Sequence, residues 1–250
     1  MDDLVNFPTP ELKEIVSKYS HFLVEVRKRL FATFILFVTV TFIGFFFYEP
    51  IIRSLIQLLD LNGINIVFTS PFQFINLAIS CGVSLGIIVC FPLLVSQVIF
   101  FLKPALRKKE YNLIVRLIPF AFILFVLGFI FGAVIMKWQI EIFVSKSVSL
   151  GIGNILDISK LLTTVILTSV LMGVAFQFPI FLLVFLKIGL IKRHWLIKYR
   201  TLIYVASLIF AIVLPPDSII ADFLLSLPLI VLFELTLFID KSSRRGRSGS

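Results

Sequence analysis

Long, almost uninterrupted apolar runs constrain this chain more than any other feature. They fall at about residues 30–48, 72–102, 112–136, 160–186, 202–214 and 219–239. A helix needs about 20 apolar residues to cross a hydrocarbon core of about 30 Å. Charged residues make up only 15% of the chain, against roughly 25% in a soluble domain, and 59% of it is hydrophobic. A core of this size cannot bury that much apolar surface, so lipid must solvate it. The expected fold is an all-α membrane protein with six transmembrane helices. They form one domain over residues 1–240, and a basic, disordered tail follows at 241–250.

The formal net charge of +9 could suggest nucleic acid. The distribution of the basic residues gives it another meaning. Nineteen fall in the lead-in, the second-to-third and fourth-to-fifth connections, and the tail. Only Arg53, Lys137, Lys146 and Lys160 fall on the other side. By the positive-inside rule both termini are expected in the cytoplasm, and no nucleic-acid partner is implied. Cys81 and Cys90 sit about 13 Å apart along a helix and cannot form a disulfide. The first thirty residues carry Asp2, Asp3, Glu11 and Glu14, with no cleavage-site pattern after the first run, so that run is expected to be retained as a span.

Thr9-Pro10-Glu11 has the form of a helix start. Leu12, Ile15, Val16, Tyr19, Phe22 and Leu23 then recur at helical spacing, which predicts an amphipathic interfacial helix that turns into the first span. Prolines at 92, 119 and 179 mark bends in later spans. The fifth run reaches only about 20 Å, and Pro215-Pro216 ends it before Asp217 or Ser218 caps the sixth. The far-side connections, about 49–71 and 137–159, are too short for separate domains.

Catalytic chemistry is missing: no zinc-type His-Glu-x-x-His, no nucleophile turn and no phosphate-cradling loop. No catalytic residue, metal or cofactor is therefore assigned. Gly82-x-x-x-Gly86 and Gly128-x-x-x-Gly132 suit close helix crossings, within the bundle or between copies. Gln177 lies two residues before Pro179, where its amide could satisfy a freed carbonyl or face a groove that receives another helix. Glu234, near the basic end of the last span, is expected to snorkel or to pair with a basic loop residue. Glu25 stands beside Arg27-Lys28-Arg29, and Glu110 follows Arg107-Lys108-Lys109. Each carboxylate could balance local charge, or the two could bind a guanidinium ligand bidentately.

Several stretches, spread from about residue 20 to 240, resemble the TatC family, the multi-spanning receptor of the twin-arginine protein translocase. They are His21-Phe-Leu-Val-Glu-Val-Arg-Lys-Arg-Leu30, Thr69-Ser-Pro-Phe72, Phe101-Leu-Lys-Pro-Ala-Leu-Arg-Lys-Lys-Glu110, Phe176-Gln-Phe-Pro179, Leu214-Pro-Pro-Asp217 and Leu232-Phe-Glu234. The resemblance implies a non-enzymatic, multi-pass subunit of the bacterial cytoplasmic membrane or of an organellar membrane derived from it. Such a subunit binds twin-arginine signal peptides, works with single-span TatA/TatB-like subunits and supports proton-motive-force-driven export of folded proteins. It places signal recognition on Glu25, Glu110 and Phe101, with Arg27 and Arg29 in the same surface. It also implies a partner-docking edge at short fifth and sixth spans, and far-side loop positions at Pro50, Pro216 and Asp217. The family often carries an intramembrane glutamate where this chain has Gln177. Homo-oligomerisation stays open, and a small six-span solute transporter is the rival reading.

Overall fold

The computed structural model describes residues 10–59, 65–101, 115, 117–151, 155–216 and 218–245. Helix α1 (Pro10–Phe46) begins at the proline that marks a helix start and runs unbroken for 37 residues, about 55 Å. The expected turn between a surface helix and the first span is absent. No proline interrupts residues 11–46, so the backbone ladder simply continues out of the apolar stretch.

After α1 come α2 (Tyr48–Leu59), β1 (Asn65–Val67) and α3 (Gln73–Phe101), which contains Pro92. Next are α4 (Leu117–Ser149), β2 (Ile155–Asp157), α5 (Ile158–Ala175) and α6 (Phe178–Ile188). The chain closes with α7 (Arg193–Lys198), α8 (Arg200–Val213) and α9 (Ile219–Arg245). Among the described residues, five stretches are long and apolar enough to cross a bilayer: Val24–Phe46, Gln73–Ile99, Leu117–Ser149, Ile158–Ile188 and Ile219–Lys241. A shorter apolar helix, α8, lies before the last of these and has 14 residues. Only the fifth span is therefore short. The last covers 23 residues, about 34 Å, which corrects the expectation of two short spans.

The far-side connections carry more structure than expected. Helix α4 continues through Ser149, because hydropathy marks where lipid ends and not where a helix must. Pro50 lies in the first turn of α2, a position that tolerates proline, and so belongs to a helix and not a loop. The apolar face of α2 (Ile52, Leu59) packs into a core with Leu77, Cys81, Met136 and Leu162. Beyond it, β1 and β2 form a parallel pair in the register Asn65↔Ile155, Ile66↔Leu156, Val67↔Asp157.

Both glycine pairs serve crossings inside the bundle. A Cβ on Gly82 would lie 2.5 Å from the Thr41 carbonyl of α1, and one on Gly132 would lie 2.8 Å from Cα of Ser169 in α5. Backbone thus approaches backbone, as close helix packing in lipid requires. Helix α1 packs along α3, α3 and α4 pack on α5, and α9 packs on α6 and α8. The outward faces are apolar, as Phe31, Phe34, Val38 and Phe42 of α1 show, while Ser84, Thr168, Ser169 and Gln177 are buried. That arrangement suits lipid outside and polar contacts inside.

Candidate functional site

Helices α1 and α3 run antiparallel, and hydrogen bonds join the C-terminal end of α3 to the middle of α1. The Gln97 amide of α3 donates to the Thr33 hydroxyl at 2.5 Å and lies 3.5 Å from the Arg29 carbonyl, both on α1. Glu25 is one turn before Arg29, and Phe101 is one turn beyond Gln97. Glu25, Arg27, Arg29 and Phe101 are all exposed, so four of the five residues expected in the recognition surface gather at this end. Glu110 and Asp217 lie outside the described residues.

Glu25 is occupied. Its Oε1 accepts from an Arg29 Nη2 at 2.6 Å, with both side chains half exposed. The spacing of four residues puts them on one helix face. The carboxylate therefore already presents its acceptor oxygens to a guanidinium, the chemistry a twin-arginine ligand would need.

The intramembrane polar residues depart from expectation. Gln177 is 1% exposed, so it lines no open groove. Its Nε2 donates at 2.8 Å to the Ala121 carbonyl of α4, and not to a carbonyl freed in its own helix. Pro179 still divides the fourth span into α5 and α6, since its missing N–H cannot continue the ladder. Glu234 accepts from the Tyr204 hydroxyl of α8, a neutral partner from the neighbouring helix in place of a basic loop residue. Six residues on, the Asp240 side chain is 2% exposed and meets Arg193 at 3.5 Å. Pro216 is buried in the α8–α9 turn, where its carbonyl accepts from the Ser218 N–H.

A second polar cluster, which sequence reasoning missed, joins the two far-side connections. Asp157 Oδ2 accepts from the Thr69 hydroxyl at 2.7 Å and from Gln73 Nε2 at 2.5 Å. Its Oδ1 caps α5 by accepting from the Lys160 N–H at 3.0 Å. The Ser159 hydroxyl donates to the Gln73 carbonyl at 3.1 Å. The Thr69 hydroxyl, chiefly, with the Lys160 N–H and the Gln73 amide, holds the Asp157 carboxyl below its ordinary pKa. Asp157 directly before an apolar run was the available signal, as an N-cap; its cross-chain partners were not visible in one dimension.

These features define a multi-spanning helical membrane protein whose polar side chains join its helices. The family described as Sec-independent protein translocase protein (TatC) matches residues 21–228. TatCy of Bacillus subtilis is 27% identical over 228 residues, covering 88% of this chain and 87% of its own. TatC of Escherichia coli is 27% identical over 226 residues, covering 88% and 86%. A crystal structure of the twin-arginine translocase receptor TatC superposes with a TM-score of 0.76 at 25% identity, covering 87% of this chain and 98% of that one. This chain belongs to the TatC family. It is a multi-pass inner-membrane component of the Tat protein-transport system, and the solute-transporter alternative has no support.

Proposed function

We propose that this subunit is the receptor for twin-arginine signal peptides, and that Glu25 and Glu110 grip the two guanidinium groups. The supporting observation is the convergence of the Glu25–Arg29 pair and Phe101 where the C-terminal end of α3 meets α1. A carboxylate that accepts from a guanidinium on its own helix has the geometry to accept one from a ligand. The surrounding Arg27, Lys28 and Arg29 repel indiscriminate cations, so that only a cation held by specific geometry stays bound. The apolar part of the signal lies along the membrane faces of α1 and α3.

In this reading the nineteen basic residues place both termini in the cytoplasm, and α8 completes a sixth, shortened crossing. Single-span TatA/TatB-like subunits join at the α8–α9 edge, and the proton-motive force drives export of the folded cargo. The test is site-specific crosslinking to a twin-arginine signal peptide in membranes. Glu25→Ala and Glu110→Ala are each expected to reduce crosslinking at least tenfold with membrane insertion intact. Undiminished crosslinking in the double variant would overturn the assignment.

A further inference from the structure

We propose that Gln97 is a positioning residue for signal recognition: its amide sets the rotation of α1 against α3, and so the placement of Glu25 relative to Phe101. The inference rests on the recognition role proposed above. Gln97 reaches across the helix interface to the turn of α1 that carries Arg29. Its Nε2 donates to the Thr33 hydroxyl at 2.5 Å, and that hydroxyl donates in turn to the Arg29 carbonyl at 3.1 Å. Thr33 is 6% exposed, which shields the junction from competing solvent.

An apolar residue would pack two lipid-embedded helices equally well, and a polar one there is costly unless it is bonded. Gln97 nevertheless keeps its Oε1 buried with no hydrogen-bond partner among the described residues. An unsatisfied buried acceptor is a local cost that packing alone does not explain, and such exceptions concentrate where geometry serves function.

The position of the junction supplies the reason. The tight crossing of α1 and α3 lies at Gly44 and Gly82, near their far ends. Glu25 is nineteen residues from Gly44, about 28 Å along the axis. A tilt of about 5° at the crossing would move Glu25 by about 2.5 Å at that lever length, enough to lose bidentate geometry. Packing of apolar surfaces is non-directional, whereas an amide-to-hydroxyl bond about two turns from Glu25 and one turn from Phe101 fixes register and rotation there.

The experiment uses the full chain in lipid nanodiscs, with spin labels at Val24→Cys and Val98→Cys and with Cys81 and Cys90 replaced by alanine. Binding of a labelled twin-arginine signal peptide and of its Lys-Lys variant is measured alongside. Gln97→Met is expected to broaden the label distance distribution and weaken twin-arginine binding about tenfold. Thr33→Val should do the same, and the double variant should be no worse than either single. Thr33→Ser, which keeps the hydroxyl, should bind as the parent does. Unchanged label distances in Gln97→Met, or broadened distances with undiminished binding, overturn the positioning role. If the parent itself shows no preference for arginine over lysine, the recognition reading fails, and the positioning role fails with it.

Discussion

At the Glu25 carboxylate a guanidinium is already in place, that of Arg29 at 2.6 Å. A ligand arginine must displace it or share the carboxylate with it. Because the pair is half exposed, the internal bond is weak, worth about 1 kcal/mol at most. Arg29→Gln is therefore expected to strengthen twin-arginine peptide binding about two- to fivefold, by removing both the competitor and a repelling charge. Arg29→Lys keeps the charge but not the planar fork, so it should give a smaller gain; titration of each variant with a fluorescent peptide separates the two effects. Weaker binding in Arg29→Gln would instead make Arg29 a direct ligand contact. Charged candidates such as Glu25 stood out in the sequence because an acid among bases is conspicuous. Thr33 and Gln97 did not, since neutral polar residues in an apolar run gain meaning only from what faces them on another helix.

At the level of elements, the apolar runs located every long helix, because lipid burial and backbone satisfaction leave few alternatives. The reading failed where helix and bilayer part company, at the turn expected within α1 and at the end of α4. The β1–β2 pair was invisible, because three-residue strands 90 positions apart have no local period to read. What holds that pair's surroundings is the Asp157 cluster, and its pH dependence follows from the direction of the shift. The folded carboxyl titrates below its unfolded value of about 3.9, so its contribution is fully present above that value and is lost as pH falls through the folded pKa. Below about pH 4, hydrogen–deuterium exchange at the Lys160 and Thr69 amides should therefore accelerate, ahead of exchange within α5. In Asp157→Asn these amides should exchange faster at neutral pH and with little acid dependence; an unaltered acid profile in that variant would assign the effect to another group.

Across the whole molecule, the two edges differ in length. Helix α1 exceeds any bilayer, whereas α8 spans about 21 Å against a hydrocarbon core of about 30 Å. With α8 crossing the bilayer as proposed, lipid beside it must thin or expose polar groups, and a thinned patch beside the proposed partner-docking edge would lower the barrier to moving a folded protein across. This idea is testable because α8 and α9 form a hairpin whose tip can grow without disturbing its base. Seven apolar residues added after Val213 and seven before Ile219 lengthen each arm by about 10 Å, with a residual rotation of only about 20°. The Tyr204–Glu234 bond lies toward the base, and Ala211 and Leu225, though near the tip, stand on the base side of both insertions, so these contacts keep their register. The extended protein should insert and bind twin-arginine peptide as the parent does, while export of a folded reporter into the periplasm falls at least tenfold. Export at the parental rate would show that the short helix is a packing solution and plays no part in weakening the bilayer.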